Sequence, residues 1–109
     1  ITVYGRGSQT RSLCYVSDLV RGICLLLHSK INTPVNIGNP QELTIAEIAR
    51  VIRRLTASRS PIVHKPLPVD DPKVRRPDIR IARTQLRWRP EVGLEEGLTR
   101  TIEYFKNAL

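Results

Sequence analysis

The sequence predicts a small α/β fold in which short strands alternate with about four helices. Three observations support this prediction. There are apolar, β-branched segments only four to six residues long, longer segments with apolar residues every three or four positions, and glycine or proline between them. The 109 residues suffice for one domain with a modest core, and no repeat or linker divides them. Residues 1–109 are therefore interpreted as a single domain.

The first half of the chain is predicted to contain three strands and two helices. The strands are residues 1–4 (ITVY), 11–16 (RSLCYV) and 34–38 (PVNIG). Ser17 is predicted to cap a helix over residues 18–29 whose apolar positions indicate a well-buried element. Thr44 and Glu47 form a capping-box pattern ahead of a second helix, which ends near Leu55.

The second half is predicted to contain one strand and two helices around a proline-rich loop. Residues 61–65 (PIVHK) form the strand. Residues 66–77 (PLPVDDPKVRRP), which we call the proline segment, form a loop of a length that is often functional. Asp78 is predicted to cap a short helix that ends at Leu86, and the last helix covers residues 94–107.

Composition limits the possible functions. The net charge is +8, from 18 basic and 10 acidic residues, which favours anionic ligands such as nucleic acids, acidic membranes or phosphorylated small molecules. With only five aromatic residues and no basic block, the chain lacks the stacking pattern of a single-strand-binding protein. The longest apolar run, residues 23–27, is far too short to span a membrane.

Cysteine and histidine positions indicate neither a metal site nor a nucleophile. Cys14 and Cys24 lie ten positions apart without CxxC spacing, and we interpret them as reduced, buried thiols of a cytosolic protein. His28 and His64 are isolated from any catalytic partner at a recognisable spacing. No catalytic residue is therefore predicted in this chain.

The glycine-containing stretch Gly5–Gly7 is a poor match to a dinucleotide-binding loop. It lacks the third glycine of that fingerprint and follows the wrong kind of element. It predicts instead a hairpin-type turn in which glycine supplies a positive φ. No cofactor-binding residue is therefore predicted.

A set of potential anion contacts remains. Arg11 follows the glycine stretch, and Arg75 and Arg76 lie between the two prolines of DDPKVRRPDI. An arginine fork suits a diphosphate, and flanking prolines reduce the entropy lost on binding. Asp78 could accept hydrogen bonds from a sugar hydroxyl. Alternatively, Arg75 pairs with an aspartate of residues 70–71 on the surface, and Asp78 serves only as a helix cap.

Four segments resemble, in this order, the C-terminal part of the extended short-chain dehydrogenase/reductase family, the nucleotide-sugar epimerase, dehydratase and decarboxylase group. They are VYGRGSQTRSLCYVSDLV, VNIGNPQELTIAEIA, LPVDDPKVRRPDIRIA and LRWRPEVGLEEGLTRTIEYF. The resemblance covers essentially the whole chain. The stretch LPVDDPKVRRPDI most resembles the members that convert UDP-glucuronate to UDP-xylose. The implied fold is the small α/β substrate-binding subdomain of such an enzyme, with its Rossmann domain absent.

The resemblance implies a function in binding the UDP part of a nucleotide sugar. In the family, an N-terminal Rossmann domain holds NAD and supplies a catalytic Tyr-x-x-x-Lys pair, and this sequence contains no such pair. We therefore expect a fragment of a longer NAD-dependent decarboxylase, inactive by itself and cytoplasmic. The expected partners are a UDP-sugar, the missing Rossmann domain and a second copy in a homodimeric parent enzyme, with no nucleic acid, membrane or metal.

The resemblance also implies roles for individual residues. Arg11 and Arg75 would contact the diphosphate from two sides, and Asp78 would accept from the ribose hydroxyls. Val3 and Tyr4 would border the uracil, with Gln9 beside the nucleotide. Three further residues resemble a segment that packs towards the cofactor domain, and their role is expected to be structural first: Tyr15, Val16 and Asp18.

Three other interpretations remain open. The chain could come from an epimerase or 4,6-dehydratase acting on UDP- or dTDP-sugars. It could be a small basic module whose binding to nucleic acid is tight and salt-sensitive. It could also bind nothing by itself and self-associate through exposed apolar surface.

Overall fold

The computed structural model describes all residues, 1–109, and confirms a small α/β fold with short strands and four helices. The elements are β1 (Thr2–Tyr4), β2 (Thr10–Arg11), α1 (Val16–Leu27), β3 (Leu43–Thr44), α2 (Ile45–Leu55), β4 (Val63–Lys65), α3 (Arg80–Gln85) and α4 (Leu94–Ala108). None of the four helices has the length and hydropathy that crossing a bilayer requires.

The strands form two separate sheets of two strands each. β1 pairs with β4 in parallel, with Val3 opposite His64, and β2 pairs with β3 antiparallel, with Thr10 opposite Thr44. The glycine stretch after β1 is a turn, as predicted, but not a hairpin, because β1 and β2 lie in different sheets. Gly7 has a φ of 71°, and a Cβ there would lie 2.8 Å from Val3 Cγ1.

The main core surrounds Trp88, which is fully buried. Its buried neighbours come from α3 and the residues that flank it: Ile79, Ala82 and Leu86. The indole Nε1 donates a hydrogen bond to the Asp18 carbonyl at 2.9 Å, which ties α1 to this core. Partly buried residues surround the cluster: Cys14, Leu26, Ile31, Val35 and Ile37. The core therefore fixes the start of α3, directly after the proline segment.

Two of the predicted strands are wrong in extent or position. Residues 34–38 form no strand, since no neighbouring backbone offers them a ladder, and Asn36 instead uses its side chain to bond the Asp78 carbonyl. The third strand is the two-residue β3, which pairs with β2. Of residues 11–16, only Arg11 is in a strand.

The prediction for α1 is correct in type but wrong in its cap and burial. The helix begins at Val16, so Ser17 lies inside the first turn and does not cap it. Only Asp18 and Gly22 are buried, whereas Leu27 is 76% exposed. Cys24, on the same helix, is also exposed, and Cys14 is only partly buried. The prediction of two buried thiols is therefore wrong for Cys24 and holds only in part for Cys14, although both thiols are free.

The later elements agree with the sequence. The Thr44 hydroxyl accepts from the Glu47 N–H at 3.1 Å, and the Glu47 carboxylate accepts from the Thr44 N–H at 3.3 Å, so the capping box is confirmed. α4 ends one residue beyond its predicted limit. α3 starts at Arg80, and the Asp78 carboxylate accepts from the Arg80 N–H at 3.1 Å, although Ile79 is the N-cap residue.

Candidate functional site

The proline segment lies beside β2 and Ser12, and three hydrogen bonds to its backbone carbonyls hold it there, in addition to the side-chain pair of Arg11 and Asp71. They run from the Thr10 N–H to the Lys73 carbonyl (2.8 Å), from Arg11 Nη1 to the Pro72 carbonyl (2.7 Å) and from the Ser12 hydroxyl to the Arg75 carbonyl (3.4 Å). These bonds connect stretches that are about sixty residues apart in the chain. The backbone of Arg75 consequently lies next to the residue that follows Arg11.

Arg11 is held by the protein at one end of its guanidinium. Nη1 donates to the Thr10 carbonyl at 2.6 Å and to the Pro72 carbonyl at 2.7 Å, while Nη2 donates to Asp71 Oδ1 at 2.8 Å. The Arg11 side chain is 20% exposed, so the pair is partly shielded from water. The ion pair with an aspartate of residues 70–71, which the sequence suggests for Arg75, is therefore formed by Arg11 instead.

Arg75 is exposed, and its guanidinium forms no hydrogen bond or ion pair with the rest of the chain. Its neighbour Arg76 lies 3.7 Å from a carboxylate oxygen of Glu42. An arginine with no protein partner loses no internal ion pair when it meets an anionic ligand. Of the two arginines predicted to contact the diphosphate, Arg75 therefore has no protein partner, whereas the Arg11 side chain is held by hydrogen bonds.

The Asp78 carboxylate forms an ion pair with Arg80. The Arg80 side chain donates to Asp78 Oδ2 from Nε at 3.0 Å and from Nη2 at 2.7 Å. These side-chain bonds, together with the bond from the Arg80 N–H, hold the pKa of the Asp78 carboxyl below its usual value. Asp78 is therefore ionised at neutral pH, and a carboxylate with this charge can also accept from a hydroxyl.

Open depressions flank Asp78 on both sides. One, of about 320 Å³, is lined by Asn36, Asp78, Arg80, Ile81 and Thr84. The other, of about 370 Å³, is lined by Pro40, Arg76, Pro77, Asp78, Ile79, Arg80 and Arg83. Three arginines border the second depression, which makes it positively charged apart from Asp78 itself. A larger apolar groove of about 510 Å³ lies between residues 13–16 and α4, away from these polar groups.

The remaining predicted site residues lie on or near β1. Tyr4 is 48% exposed and available to a ligand. Gln9 is buried, and its Nε2 donates to the Tyr4 carbonyl at 3.1 Å, so its amide supports β1 from within. Val3 as a whole residue is only 1% exposed, so it supports β1 from within and offers no surface to a ligand.

Comparison with known proteins gives a consistent result. The model of the NAD dependent epimerase/dehydratase family matches residues 1–38. UDP-glucuronic acid decarboxylase 1 of Danio rerio is 57% identical over all 109 residues. The resemblance to the epimerase/dehydratase family is confirmed. The matched region is 26% of the zebrafish protein, so the chain spans about a quarter of the length of this relative.

Solved structures of family enzymes share the fold. The UDP-glucose 4-epimerase of Thermotoga maritima, solved with UDP-glucose, is 31% identical with a TM-score of 0.94, over 99% of this chain and 35% of that one. The UDP-glucuronic acid 4-epimerase of Bacillus cereus, in complex with UDP-glucuronic acid and NAD, is 29% identical with a TM-score of 0.89, over the same shares. The fold of this chain therefore matches a fragment of an extended short-chain dehydrogenase/reductase.

The family resemblance implies NAD, but the glycine turn of this chain does not fit a dinucleotide. Gly5–Gly7 leads from β1 to β2, with no helix N-terminus to receive a pyrophosphate. The missing Cβ of Gly7 instead allows close packing on Val3 and on the backbone of Ala46. Within residues 1–109 there is also no group of three or more side chains able to hold a metal ion.

Several residues of the site are not found by sequence reasoning. From the sequence, Asp71 is considered only as a partner for Arg75, and no role is predicted for Ser12, Asn36 or Arg80. Ser12 and Asn36 contact their partners across 63 and 42 positions, which no local pattern reveals. Arg80 is the exception, because its spacing of two from Asp78 is a local signal.

Proposed function

We propose that this chain binds the UDP part of a UDP-sugar, with Arg11 and Arg75 on the diphosphate and Asp78 on the ribose. The observation that supports it is the bonding of the proline segment to β2, which brings the backbone of Arg75 next to Ser12. Charge-assisted hydrogen bonds from arginine to phosphate are among the strong ones, and the chain carries a net charge of +8.

The same proposal gives the residues of β1 a supporting role. The exposed ring of Tyr4 would contact the uracil. Gln9 would hold the Tyr4 backbone in place from behind through its 3.1 Å bond, and Val3, which is buried, would support β1 from within. Asp78 would accept from the ribose either beside Arg80 or after that side chain rotates away, since both groups are exposed.

We further propose that residues 1–109 form the nucleotide-sugar-binding domain of a UDP-glucuronic acid decarboxylase that uses NAD and forms UDP-xylose. The support is the 57% identity with a relative of that name over the whole chain. NAD and the catalytic pair would come from another part of a longer protein, so this chain by itself would show no turnover. Its contribution would be orientation, since binding the remote nucleotide places the sugar for reaction.

A UDP-sugar epimerase is the second candidate for the parent enzyme. The high structural similarity to the Thermotoga UDP-glucose 4-epimerase favours it. The identity is higher with the decarboxylase, 57% against 31%, and the decarboxylase is therefore the first choice. Both candidates use the same UDP-binding surface of this chain.

Calorimetric titration with UDP tests the proposal. Arg75→Ala removes a charge-assisted contact worth about 1.5–3 kcal/mol, so we expect UDP to bind roughly tenfold or more weakly. Arg59→Ala is the matched control, because Arg59 is exposed and forms no ion pair in the chain. It removes the same charge away from the site and should leave UDP affinity nearly unchanged.

Titration with a short single-stranded RNA in the same experiment distinguishes a UDP-binding domain from a basic nucleic-acid-binding module. A basic module would bind the RNA with steep salt dependence, and both arginine variants would weaken it similarly. No UDP binding together with this behaviour would contradict the proposed function.

A further inference from the structure

The ion pair between Arg11 and Asp71 suggests a role for a residue outside the proposed set of ligand contacts. The two side chains are 20% and 26% exposed and lie 2.8 Å apart. An ion pair at a fully exposed surface is easily replaced by water, whereas this one is partly covered and supplemented by two carbonyl acceptors. The orientation of the Arg11 guanidinium is therefore fixed before any ligand arrives.

Counting donors shows which edge of Arg11 remains free. A guanidinium has five N–H groups. Both hydrogens of Nη1 are used by the carbonyls of Thr10 and Pro72, and one hydrogen of Nη2 is used by Asp71. The Nε–H has no protein partner, and Nη2 has one hydrogen to spare. Nε and Nη2 share one edge of the planar group, and this edge offers two parallel donors when Asp71 accepts the Nη2 hydrogen that points towards Nη1. Two donors side by side match two oxygens of a phosphate.

We propose that Asp71 is a positioning residue that holds Arg11 with its Nε–Nη2 edge directed to the diphosphate. This inference rests on the proposed function. Two effects of Asp71 oppose each other. Its negative charge repels an anionic ligand, but it removes the rotational freedom that Arg11 would otherwise lose on binding. The ion pair as a whole is neutral, so it neither attracts nor repels the diphosphate strongly from a distance, and we expect the ordering effect to be the larger one.

UDP affinity of the whole chain measures this role. We expect Asp71→Ala to weaken UDP binding about two- to tenfold, the cost of ordering one long side chain on binding. Asp71→Asn keeps an acceptor oxygen and should recover most of the affinity. Asp70→Asn is the control, because it removes the same charge one position earlier from an exposed side chain that has no ion pair. Circular dichroism establishes that each variant is folded, and Asp71→Leu, which also lacks an acceptor, serves if Asp71→Ala is not folded.

Two further measurements distinguish the positioning of Arg11 from a general structural role of Asp71. They are the affinity for uridine and the NMR signal of the Arg11 Nε–H group. Uridine has no phosphate, so its binding should be unaffected by Asp71→Ala. In the NMR spectrum of labelled protein, the Arg11 Nε–H signal, assigned with Arg11→Lys, should shift on addition of UDP in the wild type and in Asp71→Asn. Equal losses of UDP and uridine binding would overturn the positioning role.

The variant Arg75→Ala distinguishes a failure of the positioning role of Asp71 from a failure of the proposed function. If Arg75→Ala weakens UDP binding but Asp71→Ala leaves it unchanged or tighter, Asp71 is a competitor for Arg11 and only the positioning role fails. If the wild type does not bind UDP, or Arg75→Ala has no effect on its binding, the proposed function fails and the inference fails with it.

Discussion

Asp18 is the most deeply buried charged side chain, 2% exposed, and it ties α1 to the turn before α4. Its carboxylate accepts from the N–H groups of Glu91 and Val92, both at 3.0 Å, and from Arg21 at 3.4 Å. Burial raises the pKa of Asp18, but these hydrogen bonds outweigh it and hold the pKa below its usual value. Folding is therefore favoured by the ionised form.

This gives a pH-dependent prediction. Because the folded-state pKa is lowered, the Asp18 contribution is present above the ordinary value of about 3.9 and is lost as the pH falls through the folded-state pKa. Asp18→Asn should cost about 2 kcal/mol of unfolding free energy near neutral pH and less near pH ~3, which lies below the ordinary pKa of an aspartate. Urea unfolding at both pH values measures the difference. An equal cost at both would contradict the account.

Local spacing predicts some residue contacts and not others. Both hydrogen bonds of the Thr44–Glu47 capping box lie within four residues, so the sequence pattern alone identifies them. The partner of Arg11 is sixty positions away, and the choice of Asp71 depends on how the proline segment meets β2. The types of the site residues are therefore readable from the sequence, but their partners follow only from the tertiary fold.

The helices were predictable because their signals are local, whereas the short strands depend on a partner. The apolar period of α1 predicts a helix but not which face is covered, and Val20, Ile23 and Leu27 lie exposed. β3 has only two residues, too few for an alternating pattern, and exists because β2 pairs with it. Residues 34–38 have the composition of a strand but no partner.

Gly22 is predicted to allow the close packing of α1 on its neighbours. A Cβ at this position would lie 2.8 Å from Ile37 Cγ2 and 3.2 Å from Trp88 Nε1. Alanine gains about 1 kcal/mol in helix propensity, but overpacking costs typically about 1–3 kcal/mol. We expect Gly22→Ala to be destabilising by about 1 kcal/mol in thermal or urea unfolding.

Gly93→Ser is the control for this prediction. Gly93 has no heavy atom within 4 Å of an added Cβ and a φ of −72°, which suits any residue. Serine is at least as good an N-cap as glycine, so this substitution should leave stability unchanged or slightly raised, in contrast to Gly22→Ala. A higher free energy of unfolding for Gly22→Ala than for the wild type would show that α1 is not tightly packed against Ile37 and Trp88.

The whole molecule is a thin plate that cannot enclose a large core. Its extents are 49 × 36 × 19 Å, and its radius of gyration is 16.2 Å, against about 13 Å for a compact chain of this length. Only 13 of the 109 residues are buried. Large apolar side chains therefore remain exposed on α1 and at the end of α4: Val16, Val20, Ile23, Leu27, Tyr104 and Phe105.

We expect this exposed apolar surface to cause concentration-dependent self-association of the isolated chain. Replacing Ile23 and Leu27 together by lysine should reduce the association, as measured by sedimentation velocity. Val69→Lys is the control, because Val69 is fully exposed but lies on the proline segment, away from α1. A chain that stays monomeric at every concentration would contradict this prediction.

The proposed binding of UDP concerns one surface, where the proline segment meets β2. An NMR titration of the ¹⁵N-labelled chain with UDP tests it, because each backbone amide reports on its own surroundings. We expect saturable shifts at residue 4, at residues 9–12 and at the non-proline residues of 71–78, with little change in α4. Shifts confined to α1, α4 or the arginines of α2, or no saturable shift at all, would contradict it.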